Sequence, residues 1–242
     1  MLRVFASFAE DILLDERRNE LKRQIGGPAY FIQNALERLG AEFELTASTP
    51  AQVELIMTNA GETNTKLVAK AAAFTPRYAN MACEGALIST TINEIELNGL
   101  EYFKGLVFID AQGYVRNPED SSRRMLWQEG KNLNVFCLKA TESEVKFLPG
   151  NLVRKQKKKL LIISKGGEGL DLYWKGKLYY LSLPNPVIGR DTIGAGDTLL
   201  ANFAVRYLHS GDAVMAANLA MDSVRKFLLE KPELKNLGVQ YK

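Results

Sequence analysis

An α/β fold, with a mostly parallel sheet covered by helices on both faces, is predicted by three features of this chain. Strand-like apolar runs alternate with helical stripes along its length. Its 242 residues are enough for one large domain with a substantial core, and no linker, repeat or low-complexity tract divides them. A glycine-rich turn joins the last hairpin to a long amphipathic helix, which sets it at the carboxyl ends of the strands, where ligands bind in sheets of this kind.

The elements follow in order. Leu2 to Phe8 reads as a buried strand. Ile12 to Leu14 and Glu20 to Gln24 flank the polar Asp15-Glu16-Arg17-Arg18-Asn19 and read as a projecting hairpin. A helix through Glu10 to Arg23, favoured by its Leu, Glu, Arg and Lys content, is the competing reading. Ile32, Ala35, Leu36 and Leu39 form an i, i+3, i+4, i+7 stripe that Gly40 is placed to end. Phe43 to Ser48, Gly105 to Asp110, Leu133 to Leu138 and Lys159 to Ser164 are further strands, with a helical pattern over Glu119 to Lys131. Lys66 to Phe74 adds a strand to the projection. Leu170 to Leu183 is a hairpin turning at Lys175-Gly176. Two helices close the chain, one with Leu199, Leu200, Phe203, Ala204, Tyr207 and Leu208 on one face, the other from about Asp212 towards Pro232.

Composition excludes several classes. Apolar residues at 46% and charged residues at 24% are the balance of a soluble globular protein, and no apolar stretch is long enough to span a bilayer. A net charge of +3 is too mild for a nucleic-acid surface. The one basic run, Arg154-Lys155-Gln156-Lys157-Lys158-Lys159, reads as a solvated loop before a buried strand. Cys83 and Cys137 read as reduced core thiols of a cytoplasmic protein, a disulfide being the minority reading. No membrane or nucleic-acid partner is expected.

Residues 191–197, Asp-Thr-Ile-Gly-Ala-Gly-Asp, carry the chemistry. Glycines at 194 and 196 allow close backbone approach, and the first amides of a helix lack internal partners and point out along its dipole. That is an anion site, suited to a phosphate. A carboxylate beside it, Asp197, is repelled by the anion and so needs a use; taking a proton from a hydroxyl nucleophile is one, and capping the helix with Asp191 or Asp197 is the other. On spacing the two weigh equally. Neither G-x-x-x-x-G-K-[ST] nor G-x-G-x-x-G is present.

The stretch DTIGAGDTLLANFAVRYL resembles the C-terminal signature of the ribokinase-like (PfkB) family of carbohydrate kinases, and GGPAYFIQNALERLG, residues 26–40, resembles its N-terminal signature. Ser164-Lys165-Gly166-Gly167-Glu168-Gly169 is similar to the nucleotide-side strand end, and Lys139 to Glu144 to the segment written N-x-x-E. The resemblance implies an ATP- and Mg²⁺-dependent kinase of a small sugar, polyol or nucleoside, folded as one ribokinase-like domain over 1–242 with a small β lid from about 12–25 and 66–80. It implies roles by position. Asp197 is the base, and the amides of Gly194, Ala195 and Gly196 hold the γ-phosphate. Asp11, Gly26 and Gly27 hold acceptor hydroxyls, Glu144 acts on Mg²⁺ through water, Ser164, Gly166 and Gly169 line the nucleotide cleft, and Asn218 lies near the adenine. A second copy, in a homodimer, is the expected protein partner.

Departures redirect part of this. Phe31 stands where the family places a substrate-facing Asn, with Asn34 one turn on as a substitute, and Thr141 replaces the Asn of N-x-x-E. Asp110-Ala111-Gln112-Gly113-Tyr114-Val115-Arg116 adds a carboxylate, Gln112 and Arg116 over the cleft and resembles the myo-inositol kinase-like branch. Phe31 either offers an apolar face to a ring-shaped acceptor or points into the core beside Ala35. A nucleoside kinase and a catalytically idle protein with the same fold are the alternatives. His209, Trp127 and Trp174 read as structural.

Overall fold

The computed structural model describes residues 1–15, 20–58, 61–79, 81–120, 123–128, 133–185, 187 and 192–230. Among them, ten strands make one sheet. Its core is parallel: β1 (Leu2–Asp15), β3 (Phe43–Thr58), β5 (Gly85–Ser89), β6 (Leu106–Asp110), β7 (Cys137–Thr141) and β8 (Leu160–Ser164), in the order β3-β1-β5-β6-β7-β8. The hairpin β9 (Leu170–Trp174) and β10 (Lys177–Leu181) extends one edge antiparallel to β8, turning at Lys175-Gly176, both at positive φ, as the sequence predicts.

The central strands β1, β5, β6, β7 and β8 are buried on both faces, and their side chains alternate between two cores. Leu2, Val4 and Ala6 enter one cluster while Phe5 enters the other; Phe108 separates likewise from Val107 and Ile109, and Leu160 and Ile162 from Leu161 and Ile163. The first cluster is closed by α1 (Gly27–Arg38), α4 (Ala195–Ser210) and α5 (Ala213–Leu229). Phe203 of α4 is fully buried there against Phe108 and Tyr207, a burial that contributes roughly 1.5–3 kcal/mol. The second is closed by irregular segments and the short α2 (Glu142–Val145) and α3 (Gly150–Lys158).

β1 runs on past the core. Its outer half pairs antiparallel with β2 (Glu20–Gly26), from Ala9 opposite Gly26 to Asp15 opposite Glu20, so strand prevails over the competing helix. On its other side it pairs with the outer half of β3, which pairs with β4 (Gly61–Ala69). The second segment of the projection therefore lies at 51–69 and not at 66–80; beyond residue 69 the chain is irregular, with one bridge from Phe74 to Ile95.

Three further expectations are corrected. Glu119 to Lys131, where described, is no helix. The Asn117 side chain accepts from the Glu119 and Asp120 amides, Met125 N donates to Val115 O, and Trp127 N donates to Phe147 O, so the backbone donors leave the segment. Trp127 is buried and stacks on Tyr114. The strand expected at Leu133 to Leu138 begins only at Cys137. The basic run is the end of α3, not a loop: Leu152 and Gln156 bury one side, with Gln156 Nε2 donating to Val135 O, while most of its lysines and arginines stay towards solvent. β5 goes unpredicted, since Gly-Ala-Leu-Ile-Ser has weak strand character of its own. Both cysteines are free thiols. No helix among the described residues is long and apolar enough to cross a membrane.

Candidate active site

A cavity of about 440 Å³ opens over the carboxyl ends of the parallel strands. Asp11, Gly27 and Val53 line one end, beside β1. Ser164, Gly166 and Gly169 line the other, beside β8, with an apolar wall from Leu170 and from Met221, Val224 and Leu228 of α5. Asp197, at the start of α4, is on the floor between them, and Gln112, Arg116 and Arg124 reach in from the loop after β6.

The α4 turn is built on glycine. Gly194 has φ +81°, a left-handed conformation, and a methyl group there would lie 2.2 Å from Phe31 Cδ1. Phe31 is 2% exposed and packs edge-on against Phe227, so it backs this turn while its ring also forms part of the cavity wall. The helix starts with no side-chain cap. Ala195 N donates to Thr192 O and Thr198 N to Gly194 O; among the described residues the amides of Gly196 and Asp197 keep no backbone acceptor. Ala195 spends its donor closing the turn, so of the three expected amides those of Gly194 and Gly196 keep no backbone acceptor among the described residues, and that of Asp197 joins them. Asp191 lies outside the described residues.

Asp197 does not cap its helix. Its Oδ1 accepts from the Ser89 hydroxyl of β5 at 2.9 Å, and the residue is 7% exposed. Burial, and then the charge of Asp110, push its carboxyl up to about 7; Lys139, the Ser89 hydroxyl and Arg116 oppose that rise. A carboxylate poised near neutrality suits a general base. Below it Lys139 Nζ donates to Asp110 Oδ2 at 2.8 Å, both side chains buried. Burial alone would lower the lysine, but Asp110, Glu144 and Asp197 outweigh it and keep Lys139 protonated.

Asp11 is buried against Gly26, where a methyl group would lie 1.9 Å from its Oδ2, and Gly27 at φ +80° would set a methyl 2.5 Å from Ala9 N. Both glycines are required by close approach, though Gly27 alone of the two lines the cavity. Gln112 N donates to Asp110 Oδ1, and Arg116 Nη1 donates to Thr91 O at 3.2 Å. Asn34 does not reach the cavity, since its Nδ2 donates back to Tyr30 O within α1. Asn218 does not reach it either, being exposed and bonded to Val214 O. In α5 the helical phase instead turns Met221, Val224 and Leu228 to the cavity.

Glu144 lines the cavity and is 3% exposed. Thr141 explains itself here: its hydroxyl accepts from Glu144 N, while Glu144 Oε2 accepts from Thr141 N at 2.8 Å, a reciprocal cap for α2. Thr141→Ala should therefore cost about 0.5–2 kcal/mol in urea unfolding and loosen Glu144, whereas Thr141→Asn, which can still cap, should stay within a few tenths of wild type. Sequence reasoning missed Ser89, which nothing local marks, and Lys139, whose signal was available as a lone cation in the apolar run Cys137-Leu138-Lys139-Ala140.

Residues 114–223 match the family model described as pfkB family carbohydrate kinase. No curated protein matches the chain. Among solved structures, a pyrophosphate-dependent kinase in the ribokinase family, complexed with a pyrophosphate analogue and myo-inositol, superposes with TM-score 0.74 at 18% identity, covering 97% of each chain. A nucleoside kinase of Methanocaldococcus jannaschii gives 0.73 at 17%, covering 98% of this chain and 95% of that one. A ribokinase of Arabidopsis thaliana, complexed with ribose and ATP, gives 0.69 at 15%, covering 96% and 93%. The family match is thus confined to residues 114–223, while the superposing structures share the ribokinase-like fold with nearly the whole chain.

Proposed function

We propose that this chain transfers the γ-phosphoryl group of ATP to a hydroxyl of a small sugar or ring-shaped polyol. One observation carries the reading: a buried carboxylate whose pKa is about 7, Asp197, shares a helix turn with outward-facing amides on the floor of a cavity. The acceptor hydroxyl attacks phosphorus as its proton passes to Asp197, and ADP departs with the electrons of the broken P–O bond. The amides of Gly196 and Asp197, on the turn that Gly194 shapes, receive the charge on the transferring phosphoryl oxygens. Asp11, with Gln112 and Arg116, holds the acceptor; Ser164, Gly166 and Gly169 face the donor, and the apolar wall of Met221, Val224 and Leu228 suits a purine.

Mg²⁺ fits this site only as a partner of the donor phosphates, which is its habit. Among the described residues no three acidic, histidine or cysteine side chains group to hold a metal, and Glu144, already engaged in its cap, would reach the ion through water. There it would neutralise phosphate charge.

Phe31 lines the cavity but is 2% exposed and packs against Phe227, so it does not by itself choose the acceptor. The preference for a polyol rests instead on the segment Asp110 to Arg116 and on the superposing kinase that holds myo-inositol. A panel of sugars, cyclic polyols and nucleosides, each with ATP and with pyrophosphate, tests the reading. Release of ADP with a sugar or polyol is expected. Turnover with nucleosides alone would reverse the acceptor, turnover with pyrophosphate alone would reverse the donor, and none at all would leave an idle protein. With the acceptor in hand, Asp11→Ala should raise its KM about 10–150-fold, the loss of a charged hydrogen bond, with donor KM little changed.

A further inference from the structure

Lys139 has no task in the mechanism above, yet a cation inside a sheet is costly unless something answers it. Asp110 answers it only in part. A methyl group on Gly196 would lie 2.4 Å from Lys139 Nζ, so the ammonium presses on the underside of the α4 turn and replaces the side chain that position lacks. It also belongs to the cavity wall. The groups acting on Asp197 come from three strands and a loop: the Ser89 hydroxyl from β5, Asp110 from β6, Lys139 from β7, and Arg116 after β6, while α1 brings the uncharged Phe31 ring to Gly194. Glu144 of α2 acts in turn on Lys139.

We infer that Lys139 is a positioning residue for phosphoryl transfer: its ammonium, fixed by Asp110, lends positive charge to the Gly196 turn from beneath and keeps the Asp197 carboxylate ready to accept a proton. The inference rests on the kinase reading of the cavity. Asp110 and Lys139 act on Asp197 with opposite sign, so they form a matched pair of levers. Removing the ammonium leaves Asp197 facing an uncompensated Asp110. Removing the Asp110 charge leaves Lys139 facing Asp197.

Two readouts test it in the full chain. One is the Asp197 carboxyl titration by ¹³C NMR without ligands; the other is kcat/KM against pH with the donor and acceptor found above. Lys139→Met should move the midpoint up by about 1–3 pH units and lower kcat at pH 7 at least about tenfold, while Asp110→Asn should move it down. Midpoints that stay put, or that move together, overturn the role. Should Lys139→Met fail to fold, Asp110→Asn decides alone, since it keeps the lysine: a lower midpoint supports the inference and an unchanged one overturns it. Opposed titration shifts with no turnover on any acceptor overturn the kinase reading, and the transfer role with it; turnover with unshifted titrations overturns Lys139 alone.

Discussion

Replacing Asp197 by Asn should reduce kcat by about 10²–10⁴-fold and leave ATP affinity close to wild type. The carboxylate takes its proton in the transition state, so the ground-state complex barely notices its loss. Single-turnover rates and nucleotide titrations check the two halves; near-normal turnover in the folded variant would remove Asp197 from the chemistry. The same substitution should stabilise the fold at high pH. Burial first, and then Asp110, raise this carboxyl from 3.8 to about 7, so the folded state holds its proton more tightly than the unfolded one. Wild-type stability is therefore lost as pH rises from 3.8 through about 7, by an amount on the order of 4 kcal/mol once both states are ionised. Asparagine escapes that loss. Urea unfolding should show the variant's advantage growing from pH 5 to pH 8, the usual exchange of stability for function. An advantage that does not change with pH would contradict the burial account.

Gly194→Ala should be almost as damaging to catalysis and, unlike the first change, should also destabilise. A non-glycine residue in the left-handed region costs about 1–2 kcal/mol, and the added methyl meets the Phe31 ring at 2.2 Å. The turn must then move, and with it the Gly196 and Asp197 amides. Losing the aim of one such donor costs about 10²–10³-fold in kcat. Gly194→Ala combined with Phe31→Ala separates the causes. Space is restored but the backbone strain is not, so turnover should recover in part while stability drops further for the lost aromatic packing. Full recovery would leave the ring as the sole obstacle; no recovery would assign the whole effect to the backbone.

What the sequence by itself determined is local and periodic. Alternating buried strands and striped helices marked the α/β class, Lys175-Gly176 marked the edge hairpin, and the spacing of Gly194, Gly196 and Asp197 marked a glycine-built helix start with a carboxylate in its first turn, because glycine requirements and helix starts are set by neighbours in the chain. Tertiary structure decided the rest. β5 is a strand because a slot exists between β1 and β6, not because Gly-Ala-Leu-Ile-Ser prefers to extend. Glu119 to Lys131 carries a helical pattern, but Val115 and Phe147 capture its amides. Spacing left Asp197 undecided between helix cap and base; the structure leaves the helix without a side-chain cap and gives this carboxylate the Ser89 hydroxyl, 108 residues away, as its partner. Asn34 and Asn218 stood at plausible positions and proved to face their own helix backbones. Position in sequence fixes where a side chain starts. Its surroundings, and hence its charge and its partners, depend on strands brought together from distant parts of the chain, where no local pattern records them.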